Sequence, residues 1–172
     1  MPFTPFHMGP GILVKSLLQG SFSLMVFGWA QIVMDMQPLA VMITGEGELH
    51  GFSHTYVGAT LLALFSALTG KYLSEFGLDL LRVPGNHRSN NIGWKVTLGS
   101  AFIGTFSHVF LDSIMHLDVQ PYYPFTGKNS MYSLMTMEGL HFLCIASAII
   151  GAAAYFLVHY ILDRKKRDRI RA

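Results

Sequence analysis

Only one cysteine, Cys144, occurs in 172 residues, and just 13% of the chain is charged. A single thiol rules out both an intrachain disulfide framework and a cysteine-rich zinc site. Cys144 lies in an apolar run, where a free cysteine behaves as a small hydrophobe. No repeat or low-complexity segment interrupts the chain, which reads as one domain. No basic residue precedes the first apolar run, and Lys15 breaks into it, so the N-terminus does not read as a cleavable signal. The whole chain is therefore expected to be mature protein.

What is abundant is apolar surface. Hydrophobic residues make up 51% of the chain, well above a soluble domain of this length. Three stretches are long enough to cross a bilayer, which takes about 20 residues: Tyr56 to Leu78, Ile92 to Met115 and Gly139 to Leu162. A fourth region, Gly11 to Met36, reads either as one helix or as a hairpin turning at Gln19-Gly20-Ser21. The hairpin is preferred because Lys15 then falls near its tip rather than at the bilayer centre. Its arms, ending near Leu18 and Met36, would both fall short of a full span. The fold class is thus an all-α membrane bundle, an N-terminal helical hairpin plus three transmembrane helices over residues 1–162, with a basic tail at 163–172.

The cations sort to one side. Lys71, Arg82, Arg88, Lys95 and the tail Asp163 to Arg171 fall together, leaving Lys128 on the other side. Lysine and arginine are retained on the cytoplasmic face, so the tail is expected there, in an inner membrane. It reads as a solvated anchor, with membrane lipids as partners and no nucleic acid expected.

The opposite side collects imidazoles and carboxylates: His7, Asp35, His50, His54, His108, Asp112, His116, Asp118, Glu138 and His141. His108, Asp112 and His116 recur at i, i+4 and i+8, one narrow helical face. A transporter spreads polar groups through the depth of the bundle; gathered at one end, they read as a fixed site. Imidazole with carboxylate is the donor set of zinc and similar divalent metals, with manganese or iron next. The expected metal ligands are His7, Asp35, His54, His108 and Asp112. His50 joins them only if it shares the face of His54. Asp118, His116 or Glu138 would act as general base or orienting group.

Several of these pieces occur in a recognisable order. They are His7 before a glycine-containing helix, Asp35-Met36-Gln37-Pro38, Gly51-Phe52-Ser53-His54-Thr55, Ser107-His108-Val109-Phe110-Leu111-Asp112 and Pro121-Tyr122-Tyr123-Pro124-Phe125. Together they resemble the membrane-bound metal-dependent hydrolases of bacteria and archaea, over residues 1 to about 125. The usual loop of that family has an arginine and one more residue between its two histidines, which His50 to His54 lacks. A more distant similarity is to zinc-dependent phospholipase C. The resemblance implies hydrolysis by a metal-activated water, and the membrane location implies a lipid or amphiphilic phosphoester substrate. Two alternatives stand beside it: a haem protein with His54, His108 or His141 as axial ligands, and a metal-binding protein without turnover.

Overall fold

A computed structural model describes residues 5–81 and 91–171. The expected loop cations Arg82 and Arg88 lie outside the described residues, as do the side chains of Lys165, Lys166, Arg169 and Arg171. The described residues form helices and no strand: α1 Met8–Leu18, α2 Leu24–Thr44, α3 Tyr56–Leu80, α4 Trp94–Met115 and α5 Met137–Arg171. Short 3-10 turns at Pro5–His7, Gln19–Ser21 and Phe52–His54 join or precede them. The all-α bundle expected from the apolar runs is the structure.

The N-terminal hairpin forms where the glycine placed it. Gln19 takes a positive φ of 47°, and Lys15 folds over the turn, donating to the carbonyls of Gln19 (2.8 Å) and Phe22 (2.7 Å). Those bonds satisfy the ammonium and close the tip together. Ser23 then caps α2 by accepting from the Val26 amide.

The second arm differs from the expectation. It does not stop at Met36 but continues through Pro38 to Thr44, ending at Gly45. Pro38 costs only the hydrogen bond that the Met34 carbonyl would have received, and the apolar residues beyond it carry the helix on. At 1.5 Å per residue, 21 residues reach about 32 Å. Among the described residues four helices, α2 to α5, are therefore long and apolar enough to cross a membrane, with α1 as a short extra arm. Asp35 consequently lies within α2 instead of at its end.

Helices α2, α3 and α4 form the centre, with Val26, Met34, Ala59, Ala67, Ala101 and Val109 among their buried contacts. Helix α5 is peripheral: 11% of its most apolar stretch is buried, against 44–56% for the other three. It packs along α1, and the two cross closely at small residues. A Cβ on Gly9 would stand 2.0 Å from the Cys144 carbonyl oxygen, and one on Gly151 would stand 2.6 Å from Leu13 Cα. This parallel contact seats α1, and with it His7, against the bundle.

Candidate metal centre

Five side chains from four elements converge at one end of the bundle. His7 comes from the turn before α1, Asp35 from α2, His54 from the turn before α3, and His108 and Asp112 from α4. All five are buried, His54 and His108 completely. Asp112 is the hub. Its carboxylate oxygens lie 3.5 Å from His7 Nε2, 3.3 Å from His54 Nε2 and 3.2 Å from His108 Nε2. Asp35 Oδ1 approaches His108 Nε2 at 3.4 Å from the other side.

These contacts are close without being hydrogen bonds. Among the described residues, both ring nitrogens of His7, Nε2 of His54 and Nε2 of His108 are buried and have no hydrogen-bond partner. Leaving one buried polar atom unpaired costs about 1–3 kcal/mol, so such a concentration is not a stable end state by itself. Neighbouring ligands around a tetrahedral ion with bonds of about 2.0–2.1 Å stand about 3.3 Å apart. The observed separations of 3.2–3.5 Å match that spacing. Two overlapping donor groups result, His7–His108–Asp112 and Asp35–His54–His108.

Local structure explains why the donors face inward. Thr55 caps α3 by accepting from the Gly58 amide at 2.9 Å, which fixes the turn carrying His54. Gly58 is required there, since a Cβ would lie 2.0 Å from the Phe52 carbonyl oxygen. Ser53 Oγ contacts His54 Nδ1 at 2.8 Å, holding the ring with Nε2 toward Asp112.

His108 is oriented more tightly. Gln31 Nε2 donates to the Gly104 carbonyl at 3.0 Å, which leaves Gln31 Oε1 facing His108 Nδ1 at 2.7 Å. An amide oxygen only accepts, so Nδ1 carries a proton and donates, which leaves the Nε2 edge of the ring directed at the cluster. Such partners behind metal-ligating histidines set tautomer and orientation. Gln31→Leu is therefore expected to weaken metal binding about 10–100-fold while leaving the fold intact. Metal affinity and helicity measured on the same sample check both halves.

Burial acts on the titration of the histidines outside the spanning helices. His7 is pushed down to about 4, by burial first and then by neighbouring His108. Burial also lowers His54. Both are thus neutral donors at physiological pH. Because the unfolded value for His7 is 6.5, the unfolded chain binds more protons than the folded one between about 6.5 and about 4. Stability from the neutral ring is complete above that window and is lost as pH falls through it. Thermal denaturation of metal-free protein in detergent should show a midpoint that declines across this window. A midpoint independent of pH there would contradict the burial of His7.

A second group lies on the solvent edge of the first. His50 Nδ1 is 2.8 Å from Asp118 Oδ2, and the His50 ring stacks on His116 with centroids 4.4 Å apart. The His50 and His54 rings stand 5.0 Å apart, so the two groups are neighbours. Burial lowers His116. Asp118 would be raised by its partial burial, but the His50 hydrogen bond brings it below the usual carboxylate range. Glu138 is exposed on the first turn of α5 and belongs to neither group. His141 stacks on Phe6 instead, at 4.5 Å.

The structure thus brings eight of the sequence-derived residues together and leaves Glu138 aside. The orienting residues Gln31 and Ser53 were not anticipated. Gln31 had a readable signal: it is a polar residue in an apolar run, four positions before Asp35 and so on the same helical face.

No curated protein and no solved structure matches the chain. A family model described as YdjM inner membrane protein matches residues 14–169, from the middle of α1 into the tail. With four helices of spanning length and composition, the molecule is a membrane protein, and the chain belongs to the YdjM inner membrane protein family.

Proposed function

We propose that the chain is a membrane-embedded metal-dependent hydrolase acting on a phosphoester of a lipid or another amphiphilic substrate, with zinc as the first candidate metal and manganese or iron next. The observation that carries this reading is the set of ring nitrogens of His7, His54 and His108, without hydrogen-bond partners among the described residues, that stand against two carboxylates in the buried interior of the bundle. His7, Asp35, His54, His108 and Asp112 would hold a divalent ion, which when bound would supply Lewis acidity for activating a water and polarising a substrate oxygen. Asp35 and Asp112 balance the ion's two charges, while Gln31 and Ser53 keep His108 and His54 aimed. Burial keeps bulk water away.

A cavity of about 260 Å³ lined by Glu48, His50, Phe52, Gln120 and Tyr123 offers an approach beside His50. Phe52, Tyr122, Tyr123 and Phe125 are exposed around it, as aromatics at a membrane boundary are. An amphiphile can present its head group there while its chain stays in lipid. The resemblance to membrane-bound metal-dependent hydrolases, and distantly to zinc-dependent phospholipase C, supports the reaction class. Asp112 lies between His54 and His108, where a porphyrin would have to sit, so the donors do not suit haem.

One observation favours a second reading. Five buried donors exceed the four that a structural zinc site uses, which suits a metal-binding protein without turnover. The deciding experiment offers metal-loaded protein a panel of phospholipids and isoprenoid phosphates in mixed micelles. Release of phosphate or head group, abolished by Asp112→Ala, supports the hydrolase. Retained metal with no turnover on any of them supports the second reading.

In this proposal the site faces outward and the tail is cytoplasmic, from the lysine and arginine asymmetry. In a Cys144→Ser background, a membrane-impermeant thiol reagent should label Lys128→Cys in intact cells and spare Arg169→Cys. The reverse pattern would place the site on the cytoplasmic side.

A further inference from the structure

The group at the solvent edge has its own donor set. His50, His116 and Asp118 each offer a ligand atom, all within 4.8 Å of one another. Two of the three are imidazoles, so this is not a patch of surface carboxylates. The rings of His50 and His116 stack with centroids 4.4 Å apart and planes inclined by only 27°. Among the described residues the His116 ring makes no hydrogen bond, while the His50 ring hydrogen-bonds through Nδ1 to Asp118.

The framework under these residues is fixed without any ion. His116 closes the C-terminus of α4, its amide donating to the Asp112 carbonyl at 2.8 Å. Asn129 Nδ2 donates to the carbonyls of Ser113 (2.9 Å) and His116 (3.0 Å), clamping that end. On the facing loop, Gln37 donates to the Glu48 carbonyl (3.1 Å) and accepts from the Ser53 amide (3.2 Å), which brackets His50. Donors held in advance bind an ion with less ordering cost.

We infer that His50, His116 and Asp118 form a second divalent-cation site, next to the buried centre and open to solvent through the 58%-exposed Asp118 side chain. This gives His116 and Asp118 a role in ion binding, in place of the general-base or orienting role expected of them from sequence. His50, His54 and Asp112 also form a donor group, which makes His50 the link between the two sites. The sites differ in charge. Two carboxylates neutralise a divalent ion in the inner site, whereas Asp118 neutralises half of one in the outer. The outer ion is therefore the weaker and the more readily exchanged. The inference extends the metal-centre reading above, and the two fail separately.

Zinc titration of the chelator-treated, detergent-solubilised full chain tests it, with bound metal counted by elemental analysis after dialysis. Wild type should take up two equivalents, at least tenfold apart in affinity. His116→Gln with Asp118→Asn should keep the tight equivalent, which also shows that the variant is folded, and lose the weak one. His108→Ala with Asp112→Ala should lose the tight one. A single equivalent in wild type, unchanged by His116→Gln with Asp118→Asn, overturns the outer site and leaves the inner. Loss of all metal in that variant makes the trio part of one centre and also overturns it. A wild type that binds only weakly, through the trio, contradicts the inner reading and keeps the outer.

Discussion

Asp112→Ala is expected to weaken zinc binding by more than about 100-fold, the largest effect of any single change in the chain. Removing a residue that merely supports a ligand costs about 10–100-fold, and Asp112 stands at the centre of the donor set. One oxygen faces His7, and the other faces both His54 and His108. The substitution removes a negative charge and leaves three imidazole nitrogens with no shared counterpart. Competition against a chromophoric chelator measures the change. Asp112→Asn is the control for shape: it keeps the side-chain volume and is expected to lose nearly as much affinity. Wild-type affinity in either variant would remove Asp112 from the centre.

His7→Ala is expected to weaken metal binding as much as His54→Ala, to within about tenfold, although the two residues belong to opposite ends of the hairpin and loop system. His7 is buried, its Nε2 stands 3.5 Å from Asp112, and its ring contacts His108 edge to face at 4.7 Å. The hairpin makes this possible. A single unbroken helix from Gly11 to Met36 would have carried His7 to the other membrane face, away from Asp35. His7 also lies before the residues matched by the family model, so its role rests on the geometry of this chain. Metal affinity of the two variants, compared in the same detergent, checks the expectation. An affinity unaffected by His7→Ala would mean that the N-terminal arm does not reach the centre.

The legible parts of this molecule are those that a short stretch of sequence can specify. Length and hydropathy place both ends of α3 and α4 and the start of α5 within two residues, because a spanning helix is a local property of its own residues, whereas α5 continues past Leu162 through the basic tail to Arg171. The i, i+4 spacing put His108 and Asp112 on one face, and the structure places them in contact. The glycine and the awkward charge of Lys15 marked the hairpin tip. The sequence reading ends the second arm at Met36, whereas the apolar residues beyond Pro38 carry α2 on to Thr44 at the loss of one hydrogen bond. The division of the polar residues into an inner and an outer group was not readable. It depends on how α4 ends at His116 and on how the loop before α3 lies across it, and both are tertiary facts.

The central claim is that His7, Asp35, His54, His108 and Asp112 hold a divalent ion. X-ray absorption at the zinc edge tests it most directly, on protein loaded with one equivalent and dialysed. The account predicts a first shell of nitrogen and oxygen alone at about 2.0–2.2 Å, with imidazole scattering and no sulfur. Replacing His108 and Asp112 together should remove this tightly held ion from the dialysed protein. A wild-type sample that retains no metal, or a shell containing the sulfur of Cys144, would contradict it.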